Sequence, residues 1–264
     1  MYITEVKEKV EQILEQRNGV EIYFVLKKNE SRIVRSVNIA DELDTSDTTS
    51  EEMLNGFVTV IENTFSSYND SDEVLKLSSA DERKNALYYY DLDELPEEME
   101  MMKKVLSNSN ELEIFSFTED SLDEIVALIT VIGNDEHRIV LYKQQYPISL
   151  LKRDKYMLTP VPHLNRLKKV ESDILRIDFN FQFCLLENVI YVSDIDKMEK
   201  ICSFHTLITN EARKSIEKIS LVDILENVEV LEDELENDTF AIKSKTVYKD
   251  SKLMGKVQNN TIDQ

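Results

Sequence analysis

The stretch IVALITVIGNDEHRIVLYKQQYP, Ile125 to Pro147, decides the fold. Two apolar runs flank Gly133-Asn134-Asp135-Glu136-His137, a segment composed like a hairpin loop, so the pattern predicts two long antiparallel strands. Downstream, DILRIDFNFQFCLLENVIYVSD (Asp173–Asp194) continues with apolar runs broken at Asn180 and at Glu187-Asn188. The centre of the chain therefore reads as an antiparallel meander.

Helices are expected on both sides of it. Ile3, Val6, Val10, Ile13 and Leu14 recur at helical spacing up to Asn18-Gly19, a C-terminal stop signal. VEIYFVLKK and RIVRSVNI then predict a hairpin, and Ser50 can cap a helix with Met53, Leu54, Phe57, Val60, Ile61 and Phe65 inward. EVLKLSS, ALYYYDL and ELEIFSFTED predict short strands, and LPEEMEMMKKVL predicts a helix with Pro96 in its first turn. DIDKMEKICSF and TNEARKSIEKI read as helices, the second opening near Thr209, and LVDILENVEVLEDELEND as an acidic helix. The fold class is α+β: an N-terminal helix/β-hairpin/helix module over residues 1–118, then a β meander with C-terminal helices over 119–240. A flexible tail is expected over 241–264, where KVQNNTIDQ lacks the apolar content to pack.

With 264 residues, 42% hydrophobic and 31% charged, the chain has ample material for a core, and 4 Gly and 4 Pro leave little for long linkers. Cys184 and Cys202 have apolar neighbours and no CxxC or Cys/His metal spacing, which reads as buried thiols in a reducing cytoplasm. No signal peptide or membrane-length apolar run is seen, so a cytoplasmic protein is expected.

Charge is unevenly distributed. The formal net charge is −21, yet His137 to Arg176 holds nine cations against Asp154, Glu171 and Asp173, a balance of +6 that leaves −27 on the rest. Lysines and arginines gathered on one face neutralise phosphates, and Tyr142, Tyr146 and Tyr156 are candidates for stacking on bases. Pairing of the same cations with the acidic remainder is the equally weighted structural alternative. The candidate DNA-binding residues are Lys143, Lys152, Arg153, Lys155, Arg166, Lys168 and Lys169.

Catalytic signatures are not found: no phosphate loop, no GxGxxG, no GxSxG and no HExxH. His137, His163 and His205 are scattered. The triplet Glu5-Val6-Lys7, which a Mg²⁺-dependent nuclease could use, falls in the first helix with no acidic strand before it. No catalytic residue, metal ligand or cofactor is assigned, and an enzyme is not favoured. A Mg²⁺ nuclease assembled from distant carboxylates stays the least favoured reading, behind an acidic protein-interaction adaptor.

The series YYYDLDELPEEM, then FSFTEDSLDEIVALITVIGNDEHRIVLYKQQYPISLLKRD, then ESDILRIDFNFQFCLLENVIYVSDIDKMEKICSFHTLITNEA, resembles the KwaB-like family, to which the soluble component of the two-protein Kiwa anti-phage system belongs. The likeness spans about Tyr88 to Leu231, with DEL, IGNDE, LLKRD and ILRID as its most specific parts. It implies a cytoplasmic anti-phage defence component that binds DNA without catalysis. It also implies self-association, most simply as a homodimer, and a KwaA-like membrane protein as the partner that recruits it to the inner face of the membrane.

Overall fold

Five apolar side chains at helical spacing should line one face of a helix, and in the computed structural model Ile3, Val6, Val10, Ile13 and Leu14 of α1 (Ile3–Glu15) are all buried. The structure describes residues 1–39, 49–78, 85–134, 136–151, 158–161, 165–170, 172–220, 228–237, 240–241 and 243–244. After α1 come β1 (Gly19–Lys28), β2 (Ser31–Val37), α2 (Thr49–Ser66), β3 (Leu75–Lys76), β4 (Tyr88–Tyr89) and α3 (Glu97–Asn108). Then follow β5 (Ile125–Gly133), β6 (Arg138–Gln144), β7 (Leu150–Leu151), β8 (Leu158–Val161), β9 (Arg166–Lys169), β10 (Ile174–Leu175), β11 (Phe183–Leu186) and β12 (Val189–Val192). Helices α4 (Ile195–Cys202), α5 (Phe204–Ser220) and α6 (Val228–Asp233) come last. This is the α+β order that the hydrophobic pattern predicts: helix, hairpin, helix, antiparallel strands, terminal helices.

Contacts divide the chain into two compact units, each built from several stretches. One takes Val6–Ser67 and Met101–Asn188, the other Met1–Glu5, Tyr68–Glu100 and Val189–Gln264. In the first, strands run in the hydrogen-bonded order β2-β1-β5-β6-β11, every pair antiparallel. Ile22 to Leu26 of β1 and Ala127 to Ile132 of β5 are buried without alternation, so both faces of these strands are covered, as their continuous apolar runs require. Helix α2 packs on β1 and buries Phe57, Val58, Ile61 and Phe65, while Met53, Leu54 and Val60 stay at the margin.

In the second unit, β12 pairs antiparallel with β4 (Tyr191 opposite Tyr89), and β4 pairs parallel with β3. Tyr88 is buried and Tyr89 half-buried, as the alternating faces of the short strand require. Asp194 caps α4 by accepting the Lys197 amide at 3.2 Å, and Ser203, in the left-handed region at φ 51°, separates α4 from α5. Cys184 and Cys202 are free, buried thiols.

Three expectations are corrected. ELEIFSFTED forms no strand: Ser109–Glu111 is a 3-10 turn, and a single bridge joins Ser36 to Ile114. The chain then turns because Asp120 bonds back to Ser116, its carboxylate accepting the Ser116 amide at 3.0 Å and its own amide donating to the Ser116 carbonyl at 2.8 Å. Helix α2 begins at Thr49, which places Ser50 inside the first turn, and α5 begins at Phe204, ahead of Thr209. The tail from residue 245, and residues 221–227 of the acidic helix, lie outside the described residues.

Candidate nucleic-acid interface

The basic segment is carried by a two-stranded ribbon that grows out of β6 and β11. Tyr142 pairs with Phe183; eight residues outward along one strand and eight back along the other are Leu150 and Leu175, again paired. The register is therefore conserved through a stretch with no strand ladder of its own. Buried glutamines hold it there: Gln182 Oε1 accepts the Gln144 amide at 2.8 Å, and Gln145 Nε2 donates to the Arg176 carbonyl at 3.1 Å. The Arg176 amide donates to the Ser149 carbonyl at 2.8 Å and leads into the β7/β10 pair.

Farther along the chain β8 and β9 pair as a second two-stranded sheet, with Leu158 opposite Lys169, Thr159 opposite Lys168, Pro160 opposite Leu167 and Val161 opposite Arg166. Phe179 anchors the return strand by an edge-on contact with Phe57 of α2, ring centroids 4.9 Å apart. Gly56 gives that ring its room, since a Cβ there would meet it at 2.4 Å.

The candidate cations fall into three groups. Lys143, on β6, is only 16% exposed and its Nζ lies 3.9 Å from Asp178, the carboxylate that Arg176 also approaches at 3.8 Å. Arg166, Lys168 and Lys169 are exposed together on β9. Lys152, Arg153 and Lys155 lie outside the described residues.

Of the tyrosines considered for base stacking, Tyr142 is corrected: it is buried and stacks on Phe183 at 5.5 Å and 23°. Tyr146 is half-exposed, with its hydroxyl 3.3 Å from Gln144 Oε1, and Tyr156 lies outside the described residues.

Charge counting overlooks a second property of the ribbon. Ile148, Leu151, Leu158, Leu167 and Ile174 are among the exposed large apolar residues of the protein, and all five sit on this arm. The signal lay in LTPV and RLKK, whose alternation puts apolar side chains on one face of a ribbon too thin to bury them.

Among the described residues, no group of three or more His, Cys, Asp or Glu is arranged to hold a metal ion, and no helix is long and apolar enough to cross a membrane. His205 faces Glu199, while His163 lies outside the described residues.

The family model described as Kiwa protein KwaB-like matches residues 122–264, more than half of the chain and the whole of the ribbon. Kiwa protein KwaB of Escherichia coli O55:H7 (strain RM12579 / EPEC) is 24% identical over 263 residues, which are 99% of this chain and 80% of that protein. No solved structure matches.

Proposed function

The chain belongs to the Kiwa protein KwaB-like family, and from that premise we propose that it is an anti-phage defence component that holds DNA by its phosphates through the ribbon, without a chemical step on the nucleic acid. The observation that carries this reading is β9. Three of its four residues, Arg166, Lys168 and Lys169, are cationic and exposed, on an arm of a protein whose net charge is −21. Lys152, Arg153 and Lys155, in the same basic segment of sequence, add to the contact, and Lys143 contributes from the base of the arm. The protein acts as a homo-oligomer, a dimer in the simplest case, beside a KwaA-like membrane protein that brings it to the inner face of the membrane.

Electrostatics supports a conditional grip. One ribbon makes few phosphate contacts and gains little from counterion release at physiological salt, so it binds weakly there, and the acidic body adds repulsion at close range, within the screening length of about 8 Å. Several ribbons presented together bind far more tightly, because the second contact forms at high effective concentration. The adaptor reading draws on one observation, the shared neutralisation of Lys143 and Arg176 by Asp178.

The test titrates labelled duplex DNA with the full chain at low and physiological salt, with and without Mg²⁺, beside Arg166→Glu/Lys168→Glu/Lys169→Glu and a melting curve for each protein. Binding that weakens at least about tenfold in the variant, with an unchanged melting temperature and intact DNA, is the expected result. No binding even at low salt, or equal binding by the variant, refutes the reading in favour of the adaptor. Cleavage dependent on Mg²⁺ refutes the non-catalytic part.

A further inference from the structure

The turns that close β5/β6 and β11/β12 lie side by side, because Ile139 at the start of β6 pairs with Leu186 at the end of β11. Both turns are fixed locally. Asn134 Oδ1 accepts the amides of Glu136 and His137, Arg138 Nε donates to the Asn134 carbonyl at 2.8 Å, and the second turn holds Glu187 and Asn188 at positive φ. Lys9 of α1 reaches the second turn through Glu187 at 2.5 Å. Between these turns, α1 and the last turn of α3 there is a cavity of about 350 Å³, lined wholly by residues of one compact unit. Pockets that take small molecules run from about 300 to 1,000 Å³. The ribbon leaves β6 at its other end, past Gln144, so this is a separate place on the molecule.

The lining sorts into three chemistries. Lys9, His137 and Arg138 bring nitrogen donors, and a guanidinium can grip a phosphate through two parallel N–H bonds. Gln12 and Asn188 carry amides that both donate and accept, and Glu136 accepts. Ile13 and Leu106 add a small apolar surface. The cations Lys9 and Arg138 balance the acids Glu136 and Glu187 before His137 is counted, so the lining suits a ligand with both an anionic group and hydrogen-bond donors. We infer that this cavity binds a nucleoside monophosphate: phosphate on Lys9, His137 and Arg138, base edge on Gln12, Asn188 and Glu136, base face against Ile13 and Leu106. Inorganic phosphate would leave the amides and Glu136 without a partner in the ligand, and a nucleoside would leave the cations so. Hairpin turns on a rigid sheet give such a site its shape before the ligand arrives, which limits the ordering cost of binding.

The experiment is titration calorimetry of the full chain at low salt with the four deoxynucleoside monophosphates, their parent nucleosides and inorganic phosphate. Gln12→Lys, Gln12→Glu and Arg138→Gln are measured beside wild type, each with a melting curve. The best monophosphate is expected to bind about tenfold or more tighter than its nucleoside and than inorganic phosphate. Arg138→Gln should weaken it at least about tenfold. Because Arg138 also braces its own turn, the deciding variants are those at Gln12, which is exposed on α1. Gln12→Lys should tighten binding about threefold and Gln12→Glu loosen it about threefold, with melting temperatures unchanged. The site is overturned if no monophosphate binds at about 1 mM, if the nucleoside or inorganic phosphate binds as tightly, or if neither Gln12 variant moves the affinity. Every one of these results leaves the ribbon's grip on DNA to be decided by the duplex titration.

Discussion

The Asp120 side chain is 3% exposed, and three donors surround its carboxylate: Lys28 Nζ at 2.5 Å, the Ser116 amide at 3.0 Å and Arg35 Nε at 3.5 Å. The bond from Lys28, followed by that from Ser116, keeps its carboxyl below the usual carboxylate range. Because the folded value is depressed, its contribution to stability is present above the unfolded value of about 3.9 and is lost as pH falls through the lower folded one. Urea unfolding should therefore show wild type losing stability below about pH 4 and Asp120→Asn losing less over the same interval. At neutral pH Asp120→Asn should be the less stable by about 2 kcal/mol, since it leaves Lys28 and Arg35 facing a neutral group. Equal acid sensitivity of the two proteins would show that the pair is thermodynamically silent. The same residue explains why ELEIFSFTED misleads: its alternation is that of a strand, but Asp120 closes a turn onto Ser116, a competition between side chain and ladder that periodicity does not register.

At the scale of elements, the hairpins are the most legible feature because each rests on local chemistry. Gly133 closes β5 against β6 at φ 138°, a backbone region L side chains rarely adopt, and Asn134 Oδ1 accepts the amides of Glu136 and His137 at 2.9 and 2.8 Å. A Cβ at Gly133 would lie 2.0 Å from the His137 carbonyl oxygen, and backbone cannot move aside cheaply. Gly133→Ala should cost about 1–3 kcal/mol in chemical denaturation, whereas Gly19→Ala, with nothing near its Cβ, should stay close to wild type. The Glu187-Asn188 turn is legible for the same reason, with positive φ values of 49° and 73° at the two joining residues. The ribbon is less so. Its continuity from β6/β11 to β7/β10 depends on Gln145 and Gln182 replacing ladder bonds with side-chain bonds, and no pattern of apolar residues announces that. Gly56→Ala would press on the Phe179 ring at the anchored root of the arm and should lower the melting temperature, with a cost of about 1–3 kcal/mol.

For the whole molecule the deciding quantity is where charge sits. The sequence alone locates the reversal of sign between His137 and Arg176, but it does not separate Lys143, whose side chain is mostly buried near Asp178, from Arg166, Lys168 and Lys169, which are exposed on β9. That separation needs the register, and so does the apolar face opposite, which charge counting passes over. Family membership is legible from DEL, IGNDE, LLKRD and ILRID, while the way two compact units are each assembled from distant stretches is not, because it depends on long-range pairings such as β1 with β5. The acidic remainder then acquires a purpose within the proposal: it holds single copies off cellular DNA until ribbons are gathered in an assembly. The most direct test is the salt dependence of duplex binding, measured for wild type and for Arg166→Ala/Lys168→Ala/Lys169→Ala over about 20–200 mM salt, where counterion release sets the slope. Each phosphate contact contributes about 0.9 to the slope of log affinity against log salt, so the variant should be shallower by about 2 to 3. An unchanged slope would contradict the ribbon as the DNA-gripping element.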